Sequence, residues 1–225
     1  MPQHVNASAP PAPPAPPAPR RTYDARRRRD VAEEARRTVL ARARELFLAQ
    51  GYGPTTIVQI ARAAGVSPES VYKKFGGKPG LVRAIQEQSL LGVGGPPAEQ
   101  RSDLAQLTAT DSLALMEQFG RFATEVGPLE APIVLLIRDA AASGDADMAD
   151  LLREVDDVRF RRMLRNARQM AARGLLRPGL NAFEAADVMF ACTTSELYES
   201  LIMKRGWSAE QYGTFIARTL KANLL

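Results

Sequence analysis

Gly65, followed at once by Val66, Ser67 and Pro68, is the feature that most narrows what this chain can fold into. A glycine just past the last residue of a helical apolar repeat supplies the left-handed C-cap that a residue with a Cβ adopts poorly. Ser-Pro then opens a new helix, the hydroxyl capping it and the proline standing where a missing N–H costs nothing. Upstream, Pro54 stops the preceding segment, and Thr55 or Thr56 offers the cap for a helix carrying Ile57, Ile60, Ala61 and Ala64 on one face. Downstream, Val71 and Phe75 mark the apolar side of the second helix, with Ser70, Lys73 and Lys74 largely away from it. Two short helices joined by a turn of about three or four residues containing Gly make a helix-turn-helix, whose second helix enters the major groove of DNA.

The run ARAAGVSPESVYKKFGGKPGL resembles the DNA-binding signature of the tetracycline-repressor-like (TetR) family of bacterial transcription regulators. Ala64, Gly65, Val66, Ser67, Val71, Tyr72, Phe75, Lys78 and Leu81 carry the resemblance. It implies that Tyr72 and Lys78 touch phosphates and that Ser67, Glu69, Ser70, Lys73 and Lys74 approach the groove. Thr55 and Thr56, at the start of the helix pair, complete the expected DNA-binding set. Two departures stand out. Gly80 replaces the acidic or polar helix former usual in the family, and Lys73 and Lys74 occupy positions more often aromatic or histidine.

Around this unit the chain divides by composition. Residues 1–19 hold half of the sixteen prolines and no charged side chain, which predicts a disordered or polyproline II tract. Arg20, Arg21 and Arg26, Arg27, Arg28 and Arg29 follow, either as a flexible basic arm lying on DNA or as a solvated tail. From Asp30 to Gln50, the spacing of Val31, Ala35, Val39, Ala43, Leu46 and Phe47 predicts the first helix, ended by Gly51. Phe47, Ile60, Val71 and Phe75 are then the small core of a three-helix head, with Tyr52 at its edge. Lys78 and Pro79 open a fourth helix whose N-terminal N–H groups suit a phosphate. The expected domains are an N-terminal arm over residues 1–29, a helix-turn-helix head over 30–77, a connecting helix and Gly/Pro linker over 78–97, and a body over 98–225.

The body lacks the alternation of a strand and reads as all-α. Gly127 and Pro128 are expected to end a helix opened by Asp111, with a second from Ile133 to Ala142. A long helix follows Asp145, another runs from Phe183 to Lys204, and Ser208 caps the last. The penultimate helix is apolar on more than one stripe. The last two helices are therefore either a dimer interface, which the resemblance also implies, or the completion of the monomer core. TetR-like bodies commonly bind a small molecule that weakens DNA binding. Phe119, Phe122, Phe160, Met163, Met170 and Phe190 are candidates for such an apolar, adaptable lining, or are plain core.

Composition removes other classes. The only histidine, His4, lies in the tail, and Cys192 is the only cysteine, so histidine-based triads, multi-histidine metal sites and disulfide frameworks are excluded. The expectation is a protein that is not an enzyme and holds neither cofactor nor metal. A net charge of +5 is compatible with an anionic partner. No apolar run approaches the ~20 residues of a membrane span, and the first residues have neither the basic start nor the hydrophobic run of a signal peptide, which predicts a cytoplasmic protein. Taken with the sequence, the resemblance implies a dimeric regulator, a repressor, released from a palindromic operator by a small lipophilic effector. The alternative is a non-specific DNA-packaging protein without an effector.

Overall fold

Local capping chemistry sets most helix boundaries in the computed structural model, which describes residues 21–91 and 96–225. The proline-rich tract and the glycine break at 92–95 lie outside the described residues. Among the described residues, two packing units are present, with the division after residue 37. Helix α1 (Arg21–Gln50) begins well before the Asp30 expected from the apolar stripe. No Gly or Pro interrupts Arg21 to Asp30, Ala and Arg are strong helix formers, and exposed pairs Arg36–Glu33 and Arg37–Glu34 support the turns that follow. Arg26 to Arg29 are thus helical rather than a flexible arm, and Val31 is solvent-exposed.

In the second unit, burial starts at Val39 and continues through Leu40, Ala43 and Phe47. Helix α2 (Ile57–Ala64) is capped by Thr56, which forms a reciprocal box with Gln59, and ends at Gly65 with φ +68°. Helix α3 (Pro68–Phe75) is capped by Ser67 and ends at Gly76. Helix α4 (Lys78–Ser89) follows Gly77, whose φ of +131° only glycine adopts without strain. The departure at Gly80 has a steric cause: a Cβ there would lie 1.8 Å from the carbonyl oxygen of Phe75. Gly80 lets the start of α4 press against the end of α3.

Helices α5 (Ala98–Thr108), α6 (Ser112–Ala142) and α7 (Ala146–Ala172) come next. The expected stop at Gly127 and Pro128 does not occur, and α6 runs through both Pro128 and Pro132. Each interior proline forfeits a backbone hydrogen bond and costs about 3 kcal/mol in a free helix. Burial of Val126, Ala131, Ile133, Val134 and Ile137 around the prolines outweighs that cost. The Phe183 to Lys204 helix is broken instead, into α8 (Ala182–Cys192), α9 (Ser195–Tyr198) and a π-helical turn over Glu199–Lys204. The reason is a threonine pair. Thr193 Oγ1 donates to the carbonyl oxygen of Met189 at 2.9 Å, and Thr194 Oγ1 accepts from the N–H of Leu197 as a new N-cap. Phe183, the first residue of that expected helix, is exposed.

Helix α10 (Ala209–Leu224) crosses α6 with backbones in contact, since a Cβ on Gly120 would lie 2.5 Å from the Gly213 carbonyl oxygen. Two cores result. One joins Phe47, Ile60, Val71, Leu81 and Ile85 of the head and α4 to Ile133, Ile137, Met148 and Leu151. The other holds Leu115, Met116, Ala167, Met170, Met189, Tyr212 and Ile216. Their border crosses α6 and α7, so α4 is packed into the body through the same core that builds the head.

Candidate nucleic-acid interface and body cavity

Helix α3 turns Val71 inward, with Phe75 half-buried, and leaves Glu69, Ser70, Tyr72, Lys73 and Lys74 exposed. Both ends of this two-turn helix are tied. Ser67 Oγ accepts from the N–H of Ser70 at 3.2 Å, and the N–H of Gly76 bonds the Tyr72 carbonyl at 2.8 Å. Glu69 lies in the first turn, and hydrogen bonds from its own backbone N–H and from the Ser67 hydroxyl hold its carboxyl below the usual range. The exposed face therefore presents one fixed carboxylate, a serine hydroxyl, a phenol and two ammonium groups, which are the donors and acceptors that read base edges and phosphates.

The other expected DNA contacts fall differently. Thr55 is fully buried, its hydroxyl donating to the Gly51 carbonyl oxygen at 2.7 Å, so it cannot meet DNA. The cause is the turn after α1, which brings the main-chain carbonyls of Gly51 and Leu46 to its hydroxyl. Thr56 is exposed, but its hydroxyl is engaged in capping α2 through Gln59. Lys78 is half-buried. Its Nζ donates to the carbonyls of Tyr52 at 2.8 Å and Gly53 at 3.2 Å and lies 4.3 Å from the Tyr52 ring centroid. Tyr52 is itself buried and stacked on Phe47 rather than placed at an edge. Lys78 thus fastens the turn after α1 to the start of α4. Arg27, Arg28 and Arg29 are exposed in the first packing unit, and the side chain of Arg26 lies outside the described residues.

The body encloses a cavity of about 590 Å³ between α4, α5, α6, α7, α8 and α10, within the range of small-molecule sites. Phe119, Phe122 and Met163 line it as expected. Phe160, Met170 and Phe190 do not. Met170 is fully buried in core, and Phe160 packs edge-on against Phe190 at 5.7 Å, with the Arg159 guanidinium 3.8 Å from the Phe190 centroid. Helical periodicity groups all six residues, but it cannot tell a lining from the layer behind it.

Sequence reasoning missed the polar wall. Gln86 of α4 and Leu90 just after it, Ser102 of α5, Glu130 of α6, Asn166 of α7 and Tyr212 of α10 all border the cavity. Ser102 Oγ donates to Asn166 Oδ1 at 3.0 Å, and Gln86 Nε2 reaches Glu130 Oε1 at 3.4 Å. Burial pushes the Glu130 carboxyl up, opposed by the charge of Arg159 and the bond from Gln86. Burial also pushes the Tyr212 phenol up to about 12, leaving it a neutral hydroxyl. One signal for Glu130 was legible: it is the lone charge in the otherwise apolar run from Val126 to Ile137.

Residues 39–85 match the family model described as bacterial regulatory proteins, tetR family. The HTH-type transcriptional regulator SrpR of Pseudomonas putida is 43% identical over 61 residues, a segment that is 27% of this chain and 29% of SrpR. HbdR of Aromatoleum sp. (strain CIB), also an HTH-type transcriptional regulator, is 48% identical over 48 residues, 21% of each chain. These matches span less than a third of either relative. Among solved structures, SmeT in its triclosan complex superposes with a TM-score of 0.69 at 21% identity, covering 85% of this chain and 92% of SmeT. NalD of Pseudomonas aeruginosa, described as the secondary repressor of the MexAB-OprM multidrug efflux pump, superposes with a TM-score of 0.65 at 21% identity, covering 86% of this chain and 98% of that one. The whole architecture, head and helical body, is therefore shared with those structures. The amino-terminal head, over residues 39–85, is thus a head of the tetR family of bacterial regulatory proteins.

Proposed function

We propose that the protein is a dimeric transcriptional repressor that binds a palindromic operator through α3 and is released by a small lipophilic effector held in the body cavity. The observation that carries this reading is the two-turn helix α3, tied at both ends and exposing Glu69, Ser70, Tyr72, Lys73 and Lys74 together. Glu69 and Ser70, with Ser67 beside them, are positioned at the end of α3 that leads into the groove in helix-turn-helix proteins. Tyr72 and Lys74 serve phosphates, and Lys73 serves a base edge or a phosphate. Lys78 contributes by fixing the start of α4, with the remaining capacity of its ammonium available to a phosphate. Arg26 to Arg29 add sequence-independent attraction.

A two-fold pair of heads reads two half-sites together. We assign the interface to α8 and α10, a reading supported by Phe183 of α8, which is 57% exposed. Effector coupling runs through α4. Gln86 and the C-cap residue Leu90 border the cavity while Leu81 and Ile85 of the same helix sit in the head core, so a ligand that moves one end moves the other. That coupling is reciprocal: DNA lowers effector affinity by the factor by which effector lowers DNA affinity. A cytoplasmic location follows from this role, and among the described residues no helix is long and apolar enough to cross a membrane.

Selection of bound genomic fragments tests the proposal. One shared inverted repeat is the expected outcome. Fragments without a common motif, bound with steep salt dependence, would favour a DNA-packaging protein instead.

A further inference from the structure

The charges around the body cavity are matched, with one exception. Arg101 pairs with Glu125, Arg121 with Glu117, Arg159 with Asp156, and Arg162 with Glu99 and Asp103. Glu130 borders the same space, yet no lysine or arginine among the described residues ion-pairs with it. The charge of Arg159 acts on it, but that guanidinium is spent on Asp156, on the Phe190 carbonyl at 3.1 Å and on the Phe190 ring. Among the described residues, the only hydrogen bond to the Glu130 carboxylate is the long one from Gln86, at 3.4 Å. Tyr212, on the opposing helix, is neutral. A half-buried carboxylate with so little compensation is costly to keep charged, and a ligand that supplies the missing positive charge recovers that cost.

We propose that the cavity takes an amphiphilic organic cation, a protonated amine on an aromatic or aliphatic body, whose ammonium is received by Glu130 while the body lies against Phe119, Phe122 and Met163. This inference rests on the reading of the cavity as the effector site. A neutral or anionic lipophile finds the same apolar wall but leaves Glu130 without its counter-charge. An ammonium at Glu130 also competes with Gln86 for the carboxylate, and Gln86 belongs to α4, so the chemistry that selects the ligand is the chemistry that loosens the link to the head.

The test is calorimetric titration of the full-length protein with imipramine, a tricyclic tertiary amine protonated at neutral pH, and with iminodibenzyl, the neutral tricycle from which its side chain is absent. The expected result is at least tenfold tighter binding of imipramine, with that preference abolished in Glu130→Gln while iminodibenzyl affinity changes less than threefold. Melting curves of the variant, without ligand, establish that it is folded, and relief of the buried charge raises its midpoint. Equal binding of both tricycles by the wild-type protein, or an undiminished preference for imipramine in Glu130→Gln, overturns the cation assignment and leaves the effector-site reading standing. Failure of both tricycles to bind overturns both.

Discussion

Replacing Lys78 with methionine removes an ammonium but keeps most of its apolar stem, which separates a structural role from a phosphate contact. The ammonium donates to the Tyr52 carbonyl at 2.8 Å and to that of Gly53 at 3.2 Å, and lies 4.3 Å from the Tyr52 ring centroid. A hydrogen bond from a charged donor contributes about 1.5–3 kcal/mol when buried. The side chain is half-exposed, so the short bond is taken at about 1.5 kcal/mol, the longer one at about 0.5 kcal/mol and the ring contact at about 0.5 kcal/mol. The sum is about 2.5 kcal/mol. In a unit of this size each kcal/mol moves the melting midpoint by about 2–4 °C, so Lys78→Met is expected to lower Tm by about 5–10 °C in thermal unfolding followed by circular dichroism. DNA affinity falls for all sequences alike. An unchanged Tm accompanied by a salt slope reduced by about one would show that Lys78 serves only phosphate, and would refute the structural assignment.

Three further outcomes follow from the same geometry. Gly80→Ala places a methyl group 1.8 Å from the Phe75 carbonyl oxygen, and thermal unfolding should show a loss of about 2–4 kcal/mol, beyond ordinary overpacking because backbone must move; a neutral effect would mean that α3 and α4 do not meet as described. Glu69→Gln replaces a fixed acceptor on the exposed face of α3 by an amide, which should change the preferred base at one position of each half-site and leave Tm within about 2 °C; binding selection that returns the wild-type motif would remove Glu69 from base reading. Glu130→Gln alters the pH dependence of stability. The folded carboxyl is raised above its ordinary 4.5, so the folded state holds the proton more tightly and wild-type stability declines as pH rises from about 4.5 toward the folded value. The variant should therefore gain in Tm at pH 7 and gain little near pH 4; an equal gain at both would place the effect outside ionisation.

The head was legible in the sequence because its structure is local. Gly65 and Ser67 are backbone devices that act within a few residues, and each occupies the conformation its type demands. Thr55 was misread because two adjacent threonines offer the same hydroxyl, and only the tertiary path of the turn decides that Thr56 caps while Thr55 is buried. Gly80 looked like an anomaly until the Phe75 carbonyl supplied its reason. In the body, local signals lost to packing. Pro128 and Pro132 are strong breakers, yet burial on both sides keeps α6 continuous, whereas the weaker Thr193 and Thr194 do interrupt a helix because their hydroxyls give the backbone alternative partners. The cavity was legible only in part. Aromatic and methionine residues share a helical face whether they line a space or back it, so Phe119 and Met170 were indistinguishable in the chain. Glu130 carries the chemical information that those residues lack.

Interference footprinting on the selected operator tests the central claim most directly. With methylated guanine N7 as the major-groove probe, two symmetric patches centred about 34 Å apart, or a whole multiple of that distance, are expected, because each marks one α3 of a two-fold pair. Substituting Lys73 and Lys74 together with alanine should weaken both patches to the same extent. A single continuous protected stretch, or one that does not respond to changes on α3, would contradict the account.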